Sequence, residues 1–180
     1  AICLFQSNPY KSLWTGLTSL FGLSNLYLLD KTTDYFARST ELNVFTHTWS
    51  LGVEEQFYIL FPLFIWFSGF GRQSQNGTRN LFLIVGTLSI ASLIGFLYLY
   101  PSNQPAAYFL MPTRFWEMAS GCLLFIGFQK RKSIGQLFEK ISPFFVLALI
   151  IGIMYLPMSW AIASTVLVVG LSLALIASLK

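Results

Sequence analysis

Residues 81–113 and 141–179 contain no Asp, Glu, Lys, Arg or His, and apolar side chains dominate both runs. About 20 such residues suffice for a helix to cross the hydrocarbon core of a bilayer, so 141–179 is long enough for two crossings. Along the whole chain the pattern predicts spans at 12–29, 50–69, 81–100, 113–128, 141–156 and 160–179. Pro157-Met158-Ser159 supplies the turn between the last two. Pro101 and Pro105 fall in the loop after the third span, since proline ends helices. Pro62 lies inside the second, which it is expected to kink. Residues 1–5 read as the end of an earlier span, and the polar stretch 71–80 as a loop. The expected fold is therefore all-α: a polytopic membrane protein, a bundle of about six transmembrane helices.

Composition sharpens this picture. Charged residues make up 10% of the chain and hydrophobic residues 55%, whereas a soluble domain carries roughly 25% charged residues to cover its surface. A soluble protein built from very buried helices is set aside on that ground. Charge also orients the spans. Eight of the 11 basic residues fall on one side: Lys11, Arg72, Arg79, Lys130, Arg131, Lys132, Lys140 and Lys180. Lys31, Arg38 and Arg114 fall on the other. The positive-inside rule places the larger set in the cytoplasm. The acids divide the opposite way, with Asp30, Asp34, Glu41, Glu54, Glu55 and Glu117 outside and Glu139 inside. The net charge of +4 thus reflects loops beside anionic lipid rather than a nucleic-acid surface. Tyr27, Trp49, Tyr98, Tyr100, Tyr108, Trp116, Tyr155 and Trp160 gather near the outer interface, as an aromatic belt does.

Cys3 and Cys122 sit in apolar surroundings without metal-ligand spacing, so buried thiols are expected, with no disulfide framework and no metal site. Asn76-Gly77-Thr78 matches a glycosylation pattern but falls on the cytoplasmic side. The chain opens at Ala1 rather than Met. It reads as an excerpt of a longer protein, a single domain over 1–180 that is incomplete at both ends.

Two polar constellations stand out. The first runs from Thr46 to Tyr58, where an outer loop enters the second span, and holds the only histidine, His47, and the adjacent Glu54 and Glu55. Helical spacing places Ser50, Glu54 and Tyr58 on one face, with Leu51 and Glu55 beside it. A histidine folded over that face, oriented by a carboxylate, suits activation of a hydroxyl for acyl transfer. Capping gives a rival account: Ser50 is a good N-cap, and acids in the next turns answer the helix dipole. Two acids exceed what the dipole requires, and ionisable groups at a membrane helix entrance point to function. The second constellation is Met111 to Glu117, where Arg114 and Glu117 are spaced to pair along the helix. That pair either lowers the insertion cost or leaves Arg114 to meet a substrate. The loop with Asp30, Asp34, Tyr35, Phe36 and Glu41 is solvated or touches an acceptor.

At these residues the chain resembles a known family. Residues 23–67, above all His47-Thr48-Trp49-Ser50-Leu51-Gly52-Val53-Glu54-Glu55-Gln56-Phe57-Tyr58 followed by Pro62, resemble the acyltransferase-3 family of membrane-bound O-acyltransferases, which includes bacterial O-antigen and surface-polysaccharide acetylases. Residues 112–125 resemble the family's Arg-x-x-Glu helix start. The resemblance implies a multi-pass protein of the cell inner membrane, transferring an acyl group, usually acetyl, from acyl-coenzyme A to a hydroxyl of a surface glycan or lipid-linked glycan, lipopolysaccharide included. Coenzyme A is then a donor substrate, and no cofactor stays bound. The implied roles are proton relay for His47, orientation of it by Glu54 or Glu55, substrate contact for Trp49, Ser50 and Tyr58, and bracing of the outer mouth by Arg114 and Glu117. The family's arginine and histidine near its N-terminus have no counterpart here, so residues 1–180 alone are expected to be inactive. A transporter or flippase of a glycan or lipid is the rival. It predicts ionisable groups near the bilayer midplane and broken helices in paired repeats, whereas these charges cluster at helix ends on one side. A purely structural membrane subunit ranks third, because it leaves the double glutamate unexplained.

Overall fold

A helix continues only while each residue can hold helical backbone angles, and the first expected span contains a residue that does not. The computed structural model describes residues 9–30, 45, 47–72, 76–130 and 142–179. In it the chain over 12–29 forms two short helices, α1 (Pro9–Leu20) and α2 (Ser24–Asp30). Gly22 adopts φ 65° between them, a left-handed conformation that glycine adopts without steric penalty. The sequence Gly-Leu-Ser-Asn at 22–25 thus stops one helix and starts the next, which corrects the expected continuous span.

The second, third, fourth and sixth spans form close to their expected positions, as α3 (Thr48–Ser68), α4 (Gly77–Ser102), α6 (Met111–Lys130) and α8 (Ala161–Ser178). Helix α3 runs through Pro62 and ends on Gly69 at φ 74°. Pro101 is not in a loop but in the last turn of α4. Pro105 stands at the start of an extra short helix, α5 (Gln104–Phe109), where the missing N–H costs nothing. The Asn103 side chain accepts from the Ala106 N–H at 3.1 Å and caps it. The fifth span shortens to α7 (Pro143–Met154), about 18 Å long at 1.5 Å per residue. Among the described residues the secondary structure is entirely helical, and two helices, α4 and α8, are long and apolar enough to cross a membrane. Helices α3 and α6 have 21 and 20 residues, but the Glu54-Glu55-Gln56 turn and the Arg114–Glu117 turn interrupt their apolar character. The described helices therefore support two spans of the six that were expected.

The main core lies between α3, α4 and α6, where Val53, Phe57, Leu81, Val85, Met111, Phe115 and Ala119 are buried. Phe57 and Phe115 have ring centroids 5.4 Å apart. A second cluster of Phe96, Ala107 and Trp116 takes in Ile162 and Val169 of α8. Trp116 is accordingly a core residue and not part of an interfacial belt. Tyr98, Tyr155 and Trp160, by contrast, are exposed. Cys122 is a free, half-buried thiol, and Cys3 lies outside the described residues.

Candidate functional site

The start of α3 is fastened to the broken first span by short hydroxyl side chains. Thr48 Oγ1 donates to the Phe45 carbonyl at 2.7 Å and lies 2.6 Å from Ser19 Oγ of α1. Ser24 Oγ, fully buried at the head of α2, donates to the Thr48 carbonyl at 2.7 Å. His47 occupies the N-cap position in helical backbone geometry, without a side-chain cap bond, and is exposed. Ser50 is not the N-cap. It lies in the first turn and donates to the His47 carbonyl at 3.3 Å.

One turn further, α3 meets the break itself. Gln56 Nε2 donates to the Gly22 carbonyl and to Asn25 Oδ1, both at 2.9 Å. Asn25, fully buried, donates from Nδ2 to the Phe109 carbonyl at 2.9 Å and to Gln56 Oε1 at 3.5 Å. Two amides thereby join α2, α3 and α5, and they satisfy carbonyls that the helix ends leave open. Close approach depends on Gly52, where an added Cβ would lie 3.0 Å from Ser24 Oγ and 3.1 Å from Asn25 Oδ1. Glu55 is half-buried, and its carboxylate lies over Gly22. A Cβ built on that glycine would stand 2.5 Å from Glu55 Oε2.

The second constellation closes on the first through aromatic contacts. Arg114 Nε and Nη2 both donate to Glu117 Oε2, at 3.2 and 2.6 Å. This is the pair that the three-residue spacing predicted, and it is largely withdrawn from solvent. The Arg114 guanidinium also stacks on Trp49, 5.2 Å from the ring centroid, a favourable cation–π geometry. Trp49 in turn meets Phe109 edge-on at 5.2 Å. Phe109 is thus the junction, since its ring touches Trp49 and its carbonyl accepts from Asn25. Nearby, burial first and the facing Tyr100 hydroxyl second push the Tyr108 phenol up to about 12, against a weaker pull from Arg114.

The structure therefore brings together Trp49, Arg114 and Glu117, and it seats Glu55 against the first span. Glu54 and Tyr58 are exposed. Among the described residues, no hydrogen bond or ion pair joins His47 to either glutamate. The loop with Asp34, Tyr35, Phe36 and Glu41 lies outside the described residues. Sequence reasoning passed over Gly22, Ser24 and Asn25, although a glycine followed by Ser-Asn inside an apolar run is a stop-and-restart signal.

The family model described as an acyltransferase domain matches residues 2–180. The O-acetyltransferase OatA of Staphylococcus aureus (strain NCTC 8325 / PS 47) is 33% identical over 108 residues, 60% of this chain and 17% of the relative. YrhL of Bacillus subtilis (strain 168) is 30% identical over 129 residues, 70% of this chain and 20% of the relative. The peptidoglycan O-acetyltransferase OatA of Listeria monocytogenes (serovar 1/2a, strain ATCC BAA-679 / EGD-e) is 30% identical over 110 residues, 60% of this chain and 17% of the relative. The matched part is thus a fifth or less of each of these relatives' length. No solved structure matches the chain. With the model covering all but its first residue, this chain belongs to the acyltransferase-3 family.

Proposed function

We propose that this chain is the membrane-embedded part of an O-acetyltransferase that moves an acetyl group from acetyl-coenzyme A to a hydroxyl of a cell-surface glycan. One observation carries the reading: in a member of an acyltransferase family, a half-buried glutamate, Glu55, sits over a helix break, nearly two turns along α3 from Trp49, on which Arg114 stacks. In the reaction the acceptor hydroxyl oxygen attacks the thioester carbonyl. A C–O ester bond forms, the C–S bond breaks, and the hydroxyl proton passes through a protein base to the departing thiolate. His47 is the relay this chain offers, oriented by Glu54 or Glu55 once substrate draws the exposed imidazole inward. Ser50 and Tyr58 contact the acceptor, Trp49 gives a sugar an aromatic face, and Glu117 holds the Arg114 fork. The relatives that are named as peptidoglycan O-acetyltransferases favour peptidoglycan over lipopolysaccharide as the glycan.

Membrane placement with about six crossings remains part of this proposal. Its support is α8, where Leu167 and Ile176 are 50% and 56% exposed on a helix without a charged residue. Water is a poor neighbour for such a surface, and lipid is a natural one. The multi-pass inner-membrane location and the acyl-coenzyme A donor belong to the same reading. The transporter alternative needs broken helices in paired halves, and among the described residues one expected span is broken.

The test is transfer by the full-length protein in membranes, with labelled acetyl-coenzyme A and soluble peptidoglycan fragments. Glu55→Gln and Glu54→Gln keep size and hydrogen bonding while removing charge. We expect loss of about a hundredfold or more in at least one of them, on the scale of proton-transfer catalysis, at unchanged abundance. Full activity in both variants would make the acids structural and end the assignment.

A further inference from the structure

We infer that Asn25 and Gln56 are positioning residues for the proposed acyl transfer, acting through Glu55; the inference rests on that reading of Glu55. An amide side chain has two N–H donors, and this pair commits all four. Gln56 Nε2 gives its two to the Gly22 carbonyl and Asn25 Oδ1, and Asn25 Nδ2 gives its two to the Phe109 carbonyl and Gln56 Oε1. A pair with every donor committed has none left for a substrate, which separates it from a binding site. What it does hold is backbone. The Gly22 carbonyl belongs to the residue on which the Glu55 carboxylate rests, and Phe109 carries the ring against Trp49, which underlies Arg114.

The arrangement therefore ties two places to one point, the Gly22 backbone under Glu55 and the Phe109 backbone behind Trp49. Gln56 is next to Glu55 on α3, so anchoring its amide to Gly22 sets how close the helix, and with it the neighbouring carboxylate, comes to the break. Gly52, one turn earlier, leaves room for this approach. Glu55 itself shows no hydrogen bond or ion pair among the described residues. A saturated amide pair beside an unengaged carboxylate is what a site needs when the first must be rigid and the second available. Acyl transfer is sensitive to such placement, because a misplacement of about 1 Å can cost roughly a hundredfold in rate.

The pair offers a length-swap test in the full-length protein. Asn25→Gln lengthens one arm by a methylene, Gln56→Asn shortens the other, and the double swap restores the summed length with both amides present. Transfer is measured with labelled acetyl-coenzyme A and peptidoglycan fragments, and kcat is normalised to membrane-inserted protein. We expect each single variant to lose about ten- to a hundredfold in kcat, with KM for both substrates within about twofold, and the double swap to recover most of the loss. Glu55→Gln is run alongside. If it is inactive while the single swaps keep full kcat, or lose activity only in step with abundance, the positioning role is overturned and the Glu55 reading stands. If Glu55→Gln is fully active, the Glu55 reading fails and the inference fails with it. Should a single variant fail to accumulate, Gln56→Met, which keeps volume and removes the amide, takes its place: kcat at the wild-type level overturns the role, and a loss in kcat alone supports it.

Discussion

At Gly22 one residue meets two demands. Its positive φ favours glycine, and its bare Cα gives the Glu55 carboxylate its resting place. Gly22→Ala should therefore destabilise the protein by about 1–3 kcal/mol through the backbone, seen as a lower melting temperature in detergent, and should also reduce transfer in the surviving protein. Arg114→Lys keeps the charge but loses the planar fork and most of the stacking on Trp49. Roughly a tenfold loss of kcat/KM is expected for a site that uses both; unchanged kinetics would reduce Arg114 to an insertion device. Tyr108 makes a pH prediction. Its folded-state value of about 12 lies above the ordinary 10.0, so the folded protein keeps a proton that the unfolded chain gives up. The associated stability is fully present below pH 10, and it drains away as pH rises through about 12. Melting temperatures of the wild type should fall more steeply than those of Tyr108→Phe across that window. The Arg114–Glu117 pair was legible because three-residue spacing is a local property. Trp49 under Arg114, and Asn25 against Gln56, were not: these partners come from different helices, and no pattern along the chain measures the distance between them.

Among the helices, legibility followed uniform composition. Helix α4 from Leu81 onward and the whole of α8 carry no charged residue, and both formed close to where the pattern placed them. The first span failed because apolar side chains predict burial, not backbone continuity, and a single glycine angle divides it. Helix α5 was missed because a six-residue segment that contains Pro105 and stops just short of Pro112 reads as a loop when only long runs are counted. Helix α8 gives a test of what surrounds it. Leu167, half-exposed at mid-helix, should face lipid, so Leu167→Arg should make insertion of this helix less favourable by about 3–4 kcal/mol. An insertion assay with a reporter domain fused after residue 179 measures this. An unchanged inserted fraction would mean that Leu167 faces water or a polar partner.

For the molecule as a whole, the arrangement sets Arg79 at the start of α4 and Lys130 at the end of α6, with Arg114 and Glu117 at the opposite end of α6. On the proposed topology, single cysteines placed at 74 and 135 should resist an impermeant thiol reagent in intact cells, and one at Asn103 should react. Labelling at 135 from outside would reverse the orientation. The helical class of the described residues was legible because long uncharged apolar runs, such as 81–100 and 160–179, leave room for few other elements. How the two polar constellations meet was not, since it depends on a break and a short helix that composition averages away.

The bond from Gln56 to the Gly22 carbonyl spans 34 residues, and on the proposed membrane placement this separation would impose an order on biogenesis. A growing chain that has exposed only α1 and α2 to the translocon carries a helix break whose carbonyl lacks its donor, and such a group costs several kcal/mol in hydrocarbon. The segment must wait at the water–lipid boundary until α3 emerges and supplies the amide. On that placement the first of these crossings to be synthesised would be completed only with the help of the second, and the two would enter the bilayer as a pair.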